Sequence, residues 1–244
     1  MSSIPSMPCA VITGSTKGIG LAIAKELAAV GYAPILNYSQ DVTRAERALS
    51  CLQEIRKEAR LVRADVTTES GVLALFEAAL DQGAVEVWVN NIGQFHDKPF
   101  LETSIGDWEA TLSSNLLSAV LCCQRVLPFM RERRRGSIIN IASFHADQLR
   151  ARPNTLPYAI AKAGLIHLTQ TLAKTEGAYG IRVNALGPGF IDGGDHTSPE
   201  HAKNVSLERL GNADDVAKAV RFLISEDARY ITGAFLNVDG GALL

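Results

Sequence analysis

Tyr158-Ala159-Ile160-Ala161-Lys162 sets a phenol and an ammonium four residues apart. On a helix that spacing puts both groups on one face. A phenol ordinarily titrates near 10, and an adjacent ammonium favours the phenolate. The pair can therefore give a proton to an oxygen that is gaining negative charge, as a carbonyl oxygen does when hydride reaches its carbon. The same spacing is common on solvated helix faces, so it has meaning only with partners. Ser143, at the end of an apolar run, offers a second hydroxyl to a substrate oxygen. A second group of residues lies near the start of the chain, in Val11-Ile12-Thr13-Gly14-Ser15-Thr16-Lys17-Gly18-Ile19-Gly20. Gly14 suits a tight turn, Gly18 lets backbone approach a diphosphate, and Gly20 lets a helix pack on a strand. The diphosphate would face the free N–H groups and the positive end of the helix dipole. A plain strand–helix turn can carry the same glycines, so this signal too needs context.

The context is an alternation of short apolar runs with amphipathic stretches. Strands are predicted at Cys9–Ile12, Pro34–Asn37, Leu61–Ala64, Val85–Val89, Ser137–Ala142, Ile181–Leu186 and Ala234–Val238. Helices are predicted at Gly18–Val30, Thr43–Glu58, Thr68–Leu80, Leu156–Glu176 and Asp214–Ser225, with one starting near Asp107 and another ending near Arg134. Such alternation implies an α/β fold: a doubly wound, Rossmann-type parallel sheet of about seven strands, helices on both faces, one domain over residues 1–244. Ligands of these sheets lie beyond the carboxyl ends of the strands, near the switch in strand order.

The order of motifs along the chain carries a resemblance. Thr13-Gly14-x-x-x-Gly18-Ile19-Gly20 is followed by Asp65-Val66, Asn90-Asn91-Ile92-Gly93, Asn115, Ser143, Tyr158-x-x-x-Lys162 and Arg182-Val183-Asn184-Ala185-Leu186-Gly187-Pro188-Gly189. Together they resemble the short-chain dehydrogenase/reductase family over nearly the whole chain, most closely 3-oxoacyl-carrier-protein and acetoacetyl-coenzyme A reductases. The resemblance implies that Tyr158 is the general acid, that Lys162 lowers its pKa and binds the nicotinamide ribose, that Ser143 polarises the carbonyl, and that Asn115 holds a relay water. It implies cofactor contacts from Gly14, Ser15, Thr16, Lys17, Gly18, Ile19 and Gly20, from Asn37, Tyr38 and Ser39, from Asp65 and Val66, from Asn91, Ile92 and Gly93, from Tyr158 and Lys162, and from Pro188, Gly189 and Ile191. Sites of this kind that bind NAD commonly place a carboxylate at the end of the second strand. Asn37 to Gln40 contain none, Asp41 reads as a helix N-cap, and Lys17 offers a cation, so the expected cofactor is NADPH.

Several positions depart from the family pattern. Ile92 replaces the usual alanine. The Ser143–Tyr158 stretch is long and reads as substrate wall, with His145 either touching substrate or an ordinary loop residue. The lid, Ile191 to Glu208, looks short, with Gly193-Gly194 for flexibility. Arg134 matches a basic entrance position of carrier-protein reductases, but Tyr179 stands where a second is often basic. The expected substrate is thus a 3-oxoacyl thioester or another small molecule such as a sugar, polyol or secondary-metabolite ketone. A non-catalytic dinucleotide sensor is the alternative of another class.

Composition narrows the field. The 244 residues are 47% hydrophobic and 20% charged, with a net charge of −2, which gives no basic surface for nucleic acid. The run Arg131-Glu132-Arg133-Arg134-Arg135 reads as a solvated helix end. The spacing of Cys9, Cys51, Cys122 and Cys123 matches neither a disulfide framework nor a zinc site. The first residues lack the basic and apolar regions of a signal peptide, and no apolar run approaches a membrane span. A cytoplasmic location is expected, and the family resemblance implies a homotetramer or dimer. The apolar face Ala161, Leu165, Leu168 and Leu172 is open to two uses, a subunit interface or packing on the sheet.

Overall fold

The apolar runs become strands because burial on both faces removes their side chains from water. In a computed structural model that describes residues 7–148, 150–194, 197–242 and 244, these strands are β1 (Pro8–Ile12), β2 (Ala33–Tyr38), β3 (Arg60–Arg63), β4 (Ala84–Asn90), β5 (Gly136–Ile141), β6 (Ile181–Pro188) and β7 (Phe235–Val238). They form one sheet in the order β3-β2-β1-β4-β5-β6-β7, every neighbouring pair parallel. Successive residues point to opposite faces. Val11, Ile35, Trp88, Ile138 and Val183 join one core. Ile12, Leu36, Val89, Ile139 and Leu186 join the other.

The crossovers are α1 (Gly18–Ala29), α2 (Val42–Gln53), α3 (Glu69–Leu80), α4 (Ile105–Leu112), α5 (Ser118–Arg133), α6 (Leu156–Glu176) and α7 (Ala213–Ile224). Side-chain caps set several starts: Asp41 accepts from the Arg44 N–H, Thr68 from Gly71, Ser104 from Asp107 and Asn212 from Asp215. The chain leaves β1 toward β2 and β3, then returns past β1 to β4. The switch in strand order therefore lies between β1 and β4.

Three expectations about helices change. The second helix ends at Gln53, not Glu58: Leu52 is its last buried residue and Ile55 is exposed, so no apolar face holds a further turn. The predicted start near Asp107 and end near Arg134 belong to a continuous rod, α4 and α5 joined by a π-helical turn at Ser113–Leu117. The face of α6 left open between two uses turns inward. Ala161 and Leu165 are buried, while Leu168 and Leu172 pack against the core.

The basic run behaves as a helix end. Arg134 closes α5 in the left-handed conformation and donates to the Ala178 carbonyl at 2.8 Å. Arg131 forks onto the buried carboxylate of Glu176 at 2.6 and 2.7 Å and lies over the Tyr179 ring. These residues sit at the amino end of β5, not at the carboxyl ends of the strands. Among the described residues, no helix is long and apolar enough to cross a membrane, and no group of side chains could hold a metal ion.

A buried polar chain ties β4, β5 and α6 together. The Trp88 indole donates to Asn90 Oδ1 at 3.0 Å, Asn90 Nδ2 to Asn140 Oδ1 at 2.8 Å, Asn140 Nδ2 to Thr169 Oγ1 at 2.8 Å, and the Thr169 hydroxyl to the Leu165 carbonyl at 2.8 Å. Removing one link leaves a buried amide unpaired. Asn140→Leu is expected to lower the unfolding free energy by roughly 2–4 kcal/mol, measured by denaturant titration.

Candidate active site

The turn between β1 and α1 is built by side chains from neighbouring strands. Gly14 and Gly18 take positive φ, +59° and +51°, which a glycine adopts without strain. The Asn91 amide donates to the carbonyls of Thr13 and Gly14 at 3.0 and 3.1 Å, pinning the turn to β4. A Cβ on Gly20 would lie 2.7 Å from that amide nitrogen, so the helix packs this closely only with glycine. Ser15 and Asn37 were expected to contact the cofactor, yet both side chains are buried and spent on the turn. Ser15 Oγ donates to the Ile12 carbonyl at 2.7 Å and accepts the Asn37 N–H at 3.0 Å. Asn37 Oδ1 accepts the Gly14 N–H at 3.1 Å, and its Nδ2 donates to the Ala64 carbonyl at 2.9 Å. Their part is to shape the cradle.

The rim of the turn remains accessible. Lys17, Gly18 and Ser39 are exposed, and a Cβ on Gly18 would meet open space. Thr16, Ile19 and Tyr38 are half-buried. Asp41, the nearest acid after β2, caps α2 and pairs with the Arg44 guanidinium at 2.9 Å. Asp65 is exposed and accepts the Thr67 N–H and hydroxyl, while Val66 is buried beneath it. The Ile92 N–H donates to Thr13 Oγ1 at 3.2 Å, and its side chain packs on the core.

Beyond the carboxyl ends of β4, β5 and β6 opens a cavity of about 740 Å³ whose lining includes Asn115, Ser143, Tyr158, Lys162, Pro188 and Gly189. Ser143 lies two residues past β5, and Tyr158 in the first turn of α6, which Pro157 helps to start. The two hydroxyls are hydrogen-bonded. Burial pushes the Tyr158 phenol above its ordinary pKa, and the bond from Ser143 pulls it partly back. Lys162 donates to the Ile141 carbonyl at 2.8 Å, and burial lowers its pKa to about 7. Its nitrogen lies 5.4 Å from the Tyr158 ring centroid. Burial acts on both groups and disfavours both charges.

Asn115 comes from the π turn. Its Nδ2 donates to the carbonyls of Gln94 and Thr111 at 2.8 and 3.0 Å. Its Oδ1 is buried with no partner among the described residues. A Cβ on Gly93 would stand 2.1 Å from that oxygen and 3.3 Å from Lys162 Nζ. Gly93 thus leaves a small space that an unpaired acceptor and an ammonium both face. An ammonium has three donors, of which one goes to Ile141.

The walls were harder to foresee. Phe95 stands edge-on to Tyr158 with centroids 5.0 Å apart. Phe190 lies 5.1 Å from Phe144 and stacks on His201 at 4.4 Å, so an aromatic row closes over the short lid, where Pro199–Asn204 forms a 3-10 turn. Asp195 and His196 lie outside the described residues. His145 lines the cavity but is pinned: Nε2 donates to the Ala242 carbonyl at 2.7 Å and Nδ1 accepts from Gln148 at 3.0 Å. Its backbone sits at φ +56°, a conformation uncommon for non-glycine residues. Hydrophobic residues just after Gly93 and Gly189 were the signal that could have marked Phe95 and Phe190.

Comparison with known proteins places this geometry in a group. A family model described as enoyl-(acyl carrier protein) reductase matches residues 14–242. A 3-oxoacyl-[acyl-carrier-protein] reductase of Synechocystis sp. is 36% identical over 241 residues, covering 96% of each chain. A 3β-hydroxysteroid dehydrogenase of Eggerthella lenta is 37% identical, covering 96% of this chain and 93% of its own. The solved structure of a blue fluorescent protein from a metagenomic library, in complex with NADPH, superposes with a TM-score of 0.86 at 33% identity, covering 97% of this chain and 98% of that one. These relatives differ in the compounds their names mention but share the fold along its length, and the chain belongs to the short-chain dehydrogenase/reductase family of oxidoreductases.

Proposed function

We propose that the protein reduces a ketone, with 3-oxoacyl thioesters as the leading substrate class, to a secondary alcohol at the expense of NADPH. The observation that carries this reading is the hydrogen-bonded pair Ser143 and Tyr158 beside a buried Lys162 in one cavity. A dinucleotide fits the remaining features. The positive-φ glycines form a cradle open at Gly18, and the unpaired donors of Lys162 and the unpaired Asn115 Oδ1 need polar partners. NADPH, when bound, would supply the hydride that the carbonyl carbon accepts.

The chain's own residues do the rest. Ser143 donates to the carbonyl oxygen and fixes its position. Tyr158 gives that oxygen its proton as the new C–H bond forms, so the product is a neutral alcohol. Raised by burial, the phenol holds its proton until then. Lys162 offers its remaining donors to the ribose hydroxyls and to a water held by Asn115 Oδ1, through which the phenol is reprotonated. The diphosphate is held by backbone at Gly14 to Gly20, with Ser15 and Asn37 beneath. Contacts from Tyr38, Ser39, Asp65, Val66, Asn91 and Ile92 would hold the adenosine half, and Pro188, Gly189 and Ile191 would hold the nicotinamide.

The preference for NADPH is supported by Lys17 on the rim and by the engagement of Asp41, the nearest acid after β2, with Arg44. A second reading, a bulkier hydrophobic ketone or alcohol, is favoured by the aromatic walls Phe95, Phe144 and Phe190. The family resemblance carries forward a cytoplasmic homotetramer or dimer.

Tyr158→Phe is expected to lower kcat for acetoacetyl-coenzyme A by about 10²–10⁴ while NADPH still binds, read from the loss of NADPH absorbance and from cofactor fluorescence. Lys17→Ala should raise KM for NADPH roughly tenfold and leave KM for NADH unchanged. Lys162 also gives a stability signature. Between its folded pKa of about 7 and its ordinary 10.5, the unfolded chain holds a proton that the folded chain lacks, so stability rises with pH across that window. Denaturant titrations at either end of the window should show wild type gaining relative to Lys162→Met as pH rises; parallel curves for the two proteins would refute a buried, discharged lysine.

A further inference from the structure

We propose that the substrate carries an anionic group, a carboxylate or a phosphate, away from its reacting carbon, and that Arg150 and Arg152 bind it. This deepens the reading above, on which it rests for the identity of the cavity.

Charge on the cavity wall is one-sided. Among the described residues that line it, the charged side chains are Arg150, Arg152 and Lys162, with no aspartate or glutamate. Lys162 lies at the floor, bonded to the Ile141 carbonyl and discharged by burial toward a pKa of about 7. The arginines are then the fixed positive charges. Arg152 is only half-exposed, and among the described residues neither arginine has an ion pair or side-chain hydrogen bond. Elsewhere Arg44, Arg56, Arg131, Arg135, Arg209 and Arg221 each pair with a carboxylate. Among the described residues the two at the cavity leave their forked donors unused, and a planar guanidinium suits the paired oxygens of a carboxylate or phosphate.

The loop that carries them is braced. The Phe144 N–H donates to the Pro188 carbonyl at 3.1 Å, His145 is locked between Gln148 and Ala242, and the Asn154 carbonyl accepts the Lys98 N–H at 2.8 Å. Both arginines fall between these anchors. The dinucleotide's phosphates belong to the glycine turn, of which only Ile19 lines the cavity, so they do not account for the arginines. Apolar Ala151, Leu156 and Ile160 share the lining with the arginines and Tyr158. The matching ligand has a carbonyl at one end, an apolar stem and an anion at the other.

The test uses matched ketones with NADPH: levulinate against methyl levulinate, and acetoacetyl-coenzyme A against S-acetoacetyl-N-acetylcysteamine, which lacks the phosphates. In wild type the charged member of at least one pair should have a kcat/KM about 10–100 times that of its neutral partner, and in the Arg150→Gln/Arg152→Gln double variant that ratio should fall near one. Preference in the first pair alone assigns a carboxylate, and in the second alone a phosphate. Equal use of both members by wild type, or a ratio that survives in the variant, overturns the proposal and leaves ketone reduction standing. If no ketone is turned over, calorimetry of levulinate and coenzyme A on NADP⁺-loaded protein decides. Binding weakened at least tenfold in the variant keeps the anion site and sinks the reduction; binding equal in the two proteins, or absent from both, sinks the site.

Discussion

A parallel sheet covered on both faces by helices has nowhere in its interior to keep a charge. Polar chemistry must sit at the strand ends, where backbone stops pairing and side chains can reach a ligand. Every group discussed here obeys that constraint. The glycine turn, Asn91, Gly93, Ser143 and the Pro188-Gly189 segment each lie at or within three residues of the carboxyl end of a strand. Tyr158 and Lys162 come from a helix but lean over the same edge. Even the polar chain from Trp88 to Thr169 fits the rule, since it enters the interior only by satisfying each donor in turn.

Burial gives the site its chemical character. Lys162 is buried and Tyr158 half-buried, and each is pushed toward its neutral form. A site holding a neutral phenol, a lysine pushed toward its neutral form, an unpaired amide oxygen and spare donors is incomplete in electrostatic terms. The ribose hydroxyls of the proposed dinucleotide would supply what it lacks. The same reasoning, applied to the outer wall, underlies the proposal for two arginines that line a cavity with no acid among its described lining residues. Polar groups left over after folding point to what the folded chain binds.

Much of this could be read from residue order. Alternating apolar runs specify a parallel sheet because β and helical periods bury different sets of positions. The Tyr158/Lys162 spacing and the Gly14-to-Gly20 turn carry local geometry with them, so their place in the fold followed once the strands were found. Other features depend on contacts between distant segments. Nothing local to Ser15 or Asn37 reveals that the Ser15 hydroxyl meets the Asn37 backbone and the Asn37 side chain the Gly14 backbone. His145 looked like a loop residue until the chain's last residues came back to hold it. The inward turn of Ala161 and Leu165 needed the position of the whole helix, because an apolar stripe does not say which neighbour covers it.

The π turn at Ser113–Leu117 shows how a local irregularity can outlast better-behaved alternatives. A regular helix from Ile105 to Arg133 would have one residue fewer here and a tighter hydrogen-bond ladder. Deleting a residue would swing everything on one side of the joint by about 100° relative to the other, the angle between successive residues of an α-helix. Asn115 would then leave the space above Gly93 or α5 would lose its seat on the sheet. The rod is therefore locked out of its most regular form by two simultaneous demands, one from the core and one from the cavity. Stabilising this segment by regularising it and preserving the polar space above Gly93 are opposed aims, and variation along the rod has to respect the count of residues more strictly than their identity.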